Sequence, residues 1–455
     1  MSMSPRSPEE RGDELALYGS WRYIARLALC AAGVSAIVWC LCQTLVSSID
    51  ITTSRLFNAA GGAFSVTGSL MVVGALVLGG IARAILLSHP AWAVTVENSL
   101  TVALENYHQP GNPGGPSVGA RYRRPAFALA VRKVLATFLT IGPGGAGGLV
   151  APMVTISEAI GAGWARITGA RSLNELRTYQ LSAIAAAIAT LFHTPFTGAL
   201  FAAEIVRGNR IAYRKFVYCL LAGVVAYSLS QYLVPFVPLY VVPPHTASFG
   251  LVEYAVTTLV AVFVSTPIAL GFAWIMTRAR ILAERTRLRS RAVLGSLLTG
   301  LVAVSLWYAL AIDPRYVLGI GRENLGSIFL ARDPQLGLWW FLLAVVAGRM
   351  LTTAFTLAGS GSAGLFLPAA LFGGLSGAAV AEFLNATALF GHLDPKLPMV
   401  VGIASALVAV IRVPLAAVAL SIEVFGPAYV PAAALSCAIT FLISVRVQIY
   451  RSQPS

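Results

Sequence analysis

The sequence predicts an all-α polytopic membrane protein whose helices fall into two related halves. Three observations carry that prediction. Hydrophobic residues make up 57% of the 455 and charged residues only 11%, against about a quarter charged in soluble domains, so there is too little polar surface to face water on all sides. Long uncharged runs recur along the chain, the first being the 23 residues from Leu27 to Ile49. Finally, two Gly- and Pro-rich segments, GPGGAGGLVAP at 142–152 and GSGSAGLFLP at 359–368, match each other in order and spacing.

The same composition excludes other classes. The five cysteines (Cys30, Cys40, Cys42, Cys219, Cys437) are odd in number and scattered through apolar runs, so no disulfide framework is expected. The five histidines (His89, His108, His193, His245, His392) are dispersed, and neither metal nor cofactor is expected. A formal net charge of +14 invites nucleic acid. The basic residues, however, lie in short gaps between apolar stretches, which is the pattern of loops held against an anionic leaflet. The partner is therefore the lipid bilayer rather than a nucleic acid. No HExxH, paired-histidine or Ser/His/Asp arrangement supports an enzyme.

Residues 1–17 form a polar tail of mixed charge with no cleavable signal pattern. The first repeat half is assigned to 18–234 and the second to 251–450, with 451–455 as a short tail. A run of 23 residues spans about 30 Å of hydrocarbon, so Leu27 to Ile49 is a crossing. Further full-length candidates lie near 62–88, 125–141, 173–192, 214–234, 251–276, 292–312, 335–356, 395–411 and 429–445. Pieces near 94–104, 151–165, 195–206, 366–385 and 413–425 are short or broken by Gly and Pro, and are not expected to span alone. Orientation follows from arginine. The segment 277–291 carries six (Arg278, Arg280, Arg285, Arg287, Arg289, Arg291), while 106–124 and 207–215 are also basic. The positive-inside rule puts these and the N-terminus in the cytoplasm, and the Pro-rich stretch 235–250 outside. The expected location is the cell (inner) membrane.

The repeat is the strongest signal. Gly148-Leu149-Val150-Ala151-Pro152 matches Gly364-Leu365-Phe366-Leu367-Pro368, and PFTGALFAAE (195–204) matches PLAAVALSIE (414–423), at offsets of 216 and 219. Short, Gly/Pro-interrupted segments at matching places in two halves point to a transporter-type fold with its site where broken helices meet. Glycines let the backbone approach a ligand, and a proline in the first helical turn costs no hydrogen bond. Each motif therefore reads as a loop feeding a helix N-terminus, whose free amides and positive dipole end suit an anion. Neither motif contains Lys or Arg, so the anion would be held weakly enough to leave. The plainer alternative is that these glycines only allow close helix packing.

These residues resemble the CLC family of chloride channels and chloride/proton exchangers. The likeness rests on GPGGAGGLVAP, GSGSAGLFLP, ALFAAE, ALSIE and SVRVQIYRSQ (444–453), and runs from about residue 20 to the end. It implies a homodimer with one pore per subunit, built from tilted helices in two inverted halves. It also implies that chloride is bound by the amides of Leu365 and Phe366, by amides around Leu149, Val150 and Ala151, and by the hydroxyl of Tyr450. The family's first anion motif, G-S-G-x-P, is missing, and its serine position falls at Thr95.

Two departures bear on mechanism. Val150 stands where the family places a gating glutamate, and Ile205 stands where exchangers place an inner proton-accepting glutamate. Neither can carry a proton, so the resemblance implies passive chloride conduction. The alternative is an exchanger using a relocated carboxylate such as Glu158. Intramembrane carboxylates are functional suspects. Glu158 is read either as such a site or as a hydrogen-bonded acid in a polar pocket. Glu204 and Glu423 are expected to bind backbone amides, while Glu97 and Glu105 tune the inner vestibule. Arg349 and Arg412 are expected to snorkel or pair. With the chain ending at Ser455, no cytoplasmic regulatory domain is expected.

Overall fold

The computed structural model describes residues 20–61, 65–96, 99–108, 125–207, 213–234, 249–321, 334–387 and 393–444. The first half runs α1 (Trp21–Ala60), α2 (Val66–Leu86), a 3-10 turn (Pro90–Thr95), α3 (Ser99–His108), α4 (Ala126–Ile141), α5 (Val150–Ile167), α6 (Leu173–Phe192), α7 (Pro195–Arg207) and α8 (Tyr213–Leu233). The second runs α9 (Leu251–Glu284), α10 (Leu288–Leu310), a single turn (Pro314–Val317), α11 (Trp339–Ala358), α12 (Phe366–Thr387), α13 (Lys396–Ile411), α14 (Pro414–Leu420) and α15 (Val430–Ser444). Among the described residues the regular structure is helical, apart from an isolated bridge between Gly148 and Gly364. Eight of the described helices are long and apolar enough to cross a membrane. The all-α, polytopic reading is what the structure shows.

The halves pack alike. In the first, α1 contacts α6 and α8, α6 contacts α8, and α5 lies against α4 and α6. In the second, α9 contacts α13 and α15, α13 contacts α15, and α12 lies against α11 and α13. Three pairs join equivalent helices across the halves: α2 with α10, α5 with α12, and α7 with α14.

Composition decides which helices sit inside. Helices α5, α6, α12 and α13 are mostly apolar or small and are buried along nearly their whole length, as helices with apolar residues all round are. Helices α1, α2, α9 and α10 keep large apolar side chains on the outside, among them Leu29, Leu78, Phe263 and Leu298. At 40 residues α1 is about 60 Å long, so it tilts or projects beyond the hydrocarbon.

Two length expectations are corrected. The piece at 366–385 is no broken fragment but the 22-residue helix α12. Pro368 occupies its first turn, where no amide bond is lost, and its glycines are sites of close packing. Conversely, 125–141 and 395–411 form helices of only 16 residues, α4 and α13, about 24 Å each. The N-terminal tail, most of 106–124, nearly all of 235–250, and 451–455 lie outside the described residues.

Buried cations bind backbone rather than water. Arg83 on α2 donates to the Gly359 carbonyl at 3.2 Å and the Ser296 hydroxyl at 2.6 Å. Lys133 on α4 donates to the Thr95 carbonyl at 2.7 Å. Arg349 on α11 donates to the carbonyls of Leu318 and Gly319, both at 2.6 Å. Carbonyls left over at loops and helix ends are thus satisfied where water cannot reach.

The tightest seam is between α12 and α13. A Cβ placed on Gly373 would overlap the Gly402 carbonyl oxygen, and one on Gly402 would overlap that of Gly373. Overpacking against backbone cannot be relieved by a rotamer change and costs about 1–3 kcal/mol or more. G402A is therefore expected to lower the thermal midpoint of the purified protein in detergent by several degrees. An unchanged midpoint would show that the seam is looser than drawn.

Candidate functional site

The two Gly-rich segments cross at the centre of the molecule and exchange hydrogen bonds. The Gly148 amide donates to the Gly364 carbonyl at 2.9 Å, and the Gly364 amide donates to the Gly148 carbonyl at 2.7 Å. Flanking them, the Ala146 amide donates to Thr356 Oγ1 at 3.1 Å, while the Ser362 amide donates to Thr140 Oγ1 at 3.0 Å. Within each loop, Gly145 bonds back to the Thr140 carbonyl and Gly361 to that of Thr356. Each pair consists of equivalent positions in the two motifs. The arrangement is reciprocal, residue by residue, as a two-fold relation requires.

Backbone conformation repeats as well. Gly144 has φ +105°, and its counterpart Ser360 has φ 61°. His193, which ends α6, and Arg412, which ends α13, both sit in the left-handed region at φ 62° and 63°. Each precedes a proline that opens the next helix, after one intervening residue.

What the crossing does is bring together the first turns of α5 and α12. A helix leaves its first amides without intrahelical acceptors, and a buried end needs some partner for them. Leu149, the N-cap of α5, makes no side-chain cap bond. Among the described residues no hydrogen bond is made by the amides of 149–151 or 365–367. Yet Leu149, Val150, Ala151, Leu365 and Phe366 are all 5% exposed or less. The glycines keep these ends bare. A Cβ on Gly364 would stand 2.9 Å from the Ala151 nitrogen, and one on Gly148 would stand 3.1 Å from the Leu367 nitrogen.

A second pair of equivalent helix starts is treated in the opposite way. Glu204, near the end of α7, accepts from the amides of Leu415 and Ala416 at 3.0 and 2.8 Å, capping α14. Glu423, just past α14, accepts from the amides of Phe196 and Thr197 at 3.0 and 2.7 Å and from the Thr197 hydroxyl at 2.6 Å, capping α7. Among the described residues the chain thus supplies its own anions to α7 and α14 and none to α5 and α12.

The remaining sequence-derived residues fall as follows. The Phe366 ring packs against Phe192 and Phe201 at centroid distances of 5.3 and 5.6 Å. Ile205 is buried one helical turn beyond Phe201, so an aliphatic residue borders this aromatic cluster. Thr95 is buried, but its hydroxyl donates to the Trp92 carbonyl at 2.6 Å and its carbonyl accepts from Lys133. A hydroxyl has one hydrogen, so Thr95 offers no donor to an anion here. The backbone curls into a 3-10 turn where the missing glycines and proline would have turned the serine inward. Glu158 is fully buried, its two oxygens accepting from Asn106 Nδ2 at 3.2 Å and Gln180 Nε2 at 2.5 Å. It ties α3, α5 and α6 together, and the reading as a hydrogen-bonded acid fits this arrangement. Tyr450 and Glu97 lie outside the described residues.

Two cavities approach the crossing. One, of about 220 Å³, is lined by the charged side chains Arg280, Glu284 and Arg291 and by Gly361, Gly364 and Leu365 of the second motif. The other, of about 290 Å³, lies between Asp50, Thr53 and Asn58 of α1 and Arg315 with 318–321. The first includes Arg291 near the start of α10, and the second includes residues 318–321 beyond the end of that helix. Leu149, Val150, Ala151 and Phe366 line neither cavity. The arginines of the first cavity were visible in the sequence only as an orientation signal. Their place above the second motif depends on how α9 turns into α10.

This geometry meets an independent comparison. The family described as voltage gated chloride channel matches residues 100–445. The chain belongs to that family. It is 27% identical over 285 residues to the chloride/fluoride channel protein of Pseudomonas syringae pv. tomato, covering 61% of this chain and 58% of that protein's own length. It is 24% identical over 299 residues to an uncharacterized protein of Methanocaldococcus jannaschii, covering 65% of this chain and 69% of that one. Among solved structures, a CLC-type fluoride/proton antiporter superposes with TM-score 0.75 at 17% identity, covering 95% of this chain and 99% of that one. A slow cyanobacterial chloride/proton antiporter gives TM-score 0.76 at 17% identity, covering 93% and 96%. At that identity the likeness establishes the fold, and the chain is a multi-pass CLC-type membrane protein.

The swapped carboxylate caps make a stability prediction. Each accepts from two backbone amides, and a charge-assisted hydrogen bond contributes about 1.5–3 kcal/mol. E204A and E423A are each expected to lower the unfolding midpoint by several degrees, with the conservative Gln variants falling between. If both Ala variants melt like the wild type, the caps contribute nothing.

Proposed function

We propose that this chain conducts chloride and similar monovalent anions passively across the cell membrane, without coupled proton movement. The observation that supports this most directly is the pair of buried, uncapped helix starts joined by the Gly148–Gly364 exchange. In a protein that caps its other matched pair with carboxylates, such ends are fitted to an anion arriving from outside. Partial charges from the amides of Leu149, Val150, Ala151, Leu365 and Phe366 would bind it loosely enough for release. The family resemblance adds the Tyr450 hydroxyl as a further donor and a homodimer as the assembly. Thr95 is left out because its hydroxyl is already committed.

The uncoupled part of the proposal rests on side chains. Val150 and Ile205 are aliphatic and buried at the positions where coupled relatives would hold a proton. The exchanger alternative would use a relocated carboxylate such as Glu158, whose oxygens already accept from two amide donors. The proposed orientation sets 277–291 and the N-terminus in the cytoplasm. The name of the Pseudomonas relative adds fluoride to the anions worth testing.

Purified protein in liposomes under a chloride or fluoride gradient is the direct test. Anion efflux with no change in internal pH is expected. Proton movement against its own gradient, driven by chloride, would establish exchange instead, and its loss in E158Q would identify the carrier. A second expectation concerns V150E. At neutral pH its carboxylate would occupy the amides at the head of α5 and reduce flux at least tenfold. As pH falls toward the ordinary glutamate pKa of about 4.3 the acid is neutralised and flux returns. Equal flux from pH 4 to 7.5 would remove residue 150 from the pathway.

A further inference from the structure

A third cavity lies outside the anion route, in a cleft between α9, α10 and α11. Its volume is about 370 Å³, within the roughly 300–1,000 Å³ usual for small-ligand sites. The walls are apolar, formed by Trp274, Leu282, Leu294, Leu298, Leu351 and Phe355. Trp274, Leu282 and Leu294 are exposed on the membrane-facing side. One end is different. Arg278 and Arg291 both line it, with the Arg278 guanidinium 5.4 Å from the Trp274 ring centroid. The Arg291 Nε is buried and has no hydrogen-bond partner. Leu298 lies two helical turns from Arg291, about 10 Å deeper.

We propose that this cleft binds an anionic phospholipid, its phosphate at Arg278 and Arg291 and an acyl chain along the apolar wall. Charge complementarity selects the headgroup, because two guanidiniums at the mouth suit a phosphate. Size selects the tail. A helix with its side chains is about 10–12 Å across, too bulky for a cavity of about 370 Å³, whereas a single hydrocarbon chain is not. Arg291 also lines the cavity that reaches Gly364 and Leu365, as does Ala358. A phosphate that engages Arg291 withdraws one positive charge from that cavity. Acidic lipid therefore lowers anion flux. That consequence rests on the conduction reading above; the binding itself does not.

The full-length chain reconstituted in phosphatidylcholine vesicles provides the test, with brominated phosphatidylglycerol or brominated phosphatidylcholine added in steps. Tryptophan quenching is measured, and W274F isolates the signal of Trp274. Quenching of Trp274 by the glycerol lipid at roughly tenfold lower mole fraction than by the choline lipid is expected, and loss of that preference in R278Q with R291Q. Equal quenching by the two lipids overturns the proposal. So does no quenching by either, which would mean the cleft is covered by protein. In parallel, phosphatidylglycerol should lower chloride flux two- to fivefold in the wild type. R278Q, which lines only the lipid cleft, should keep wild-type flux in phosphatidylcholine and lose the lipid response. A response that persists undiminished in R278Q overturns the link to flux. Absence of flux in every lipid strikes the conduction reading alone, because the quenching result stands without it.

Discussion

The two halves of this chain are locked together by a swap of backbone hydrogen bonds between their central glycine loops. Gly148 and Gly364 each donate to and accept from the other, and Thr140 and Thr356 each accept an amide from the opposite loop. Everything of functional interest follows from that swap. It fixes where α5 and α12 begin, brings both starts to the crossing, and leaves their first amides without a hydrogen-bond partner among the described residues. It also explains why the motifs need glycine at the crossing: a side chain at either position would press on the amide of the facing helix.

Electrostatic treatment of helix ends separates structure from function here. Two equivalent pairs of helix starts are treated in opposite ways. One pair, α7 and α14, is neutralised by Glu423 and Glu204. The other pair is left positive and dry. Leaving a dipole end uncompensated in a low-dielectric interior costs stability unless a ligand supplies the charge. Natural proteins accept such costs where they bind something. The absence of Lys and Arg from both motifs keeps the attraction moderate. Arginine instead appears in the cavity that reaches the second motif, as Arg280 and Arg291, where it can draw anions in without holding them at the centre.

Much of this was legible in the sequence because repeats convert one-dimensional spacing into three-dimensional symmetry. The match of GPGGAGGLVAP with GSGSAGLFLP pointed to a site where the two broken segments meet, and the match of PFTGALFAAE with PLAAVALSIE pointed to Glu204 and Glu423 as partners of backbone amides. What could not be read is which atoms do the work. Thr140 and Thr356 look like ordinary helix residues until the loops cross. Thr95 was placed by counting from a neighbouring motif, and counting carries no information about the 3-10 turn that spends its hydroxyl on Trp92. The length of α12 was underestimated because Gly373 and Gly377 resemble helix breaks, whereas inside a dry bundle they let α13 approach. Arg278 and Arg291 lie 13 residues apart, and only the turn from α9 into α10 brings them to one cleft.

The exchange of carboxylate caps sets an order of events during synthesis. The amide of Phe196 waits for a glutamate 227 residues later in the chain. At translation rates of about 5–20 residues per second, that is about 10–45 s in which the start of α7 sits in the membrane region unsatisfied. The nascent first half therefore cannot reach its final state by itself. It must be held by lipid headgroups, water or the insertion machinery until the segment bearing Glu423 has been made and completes it.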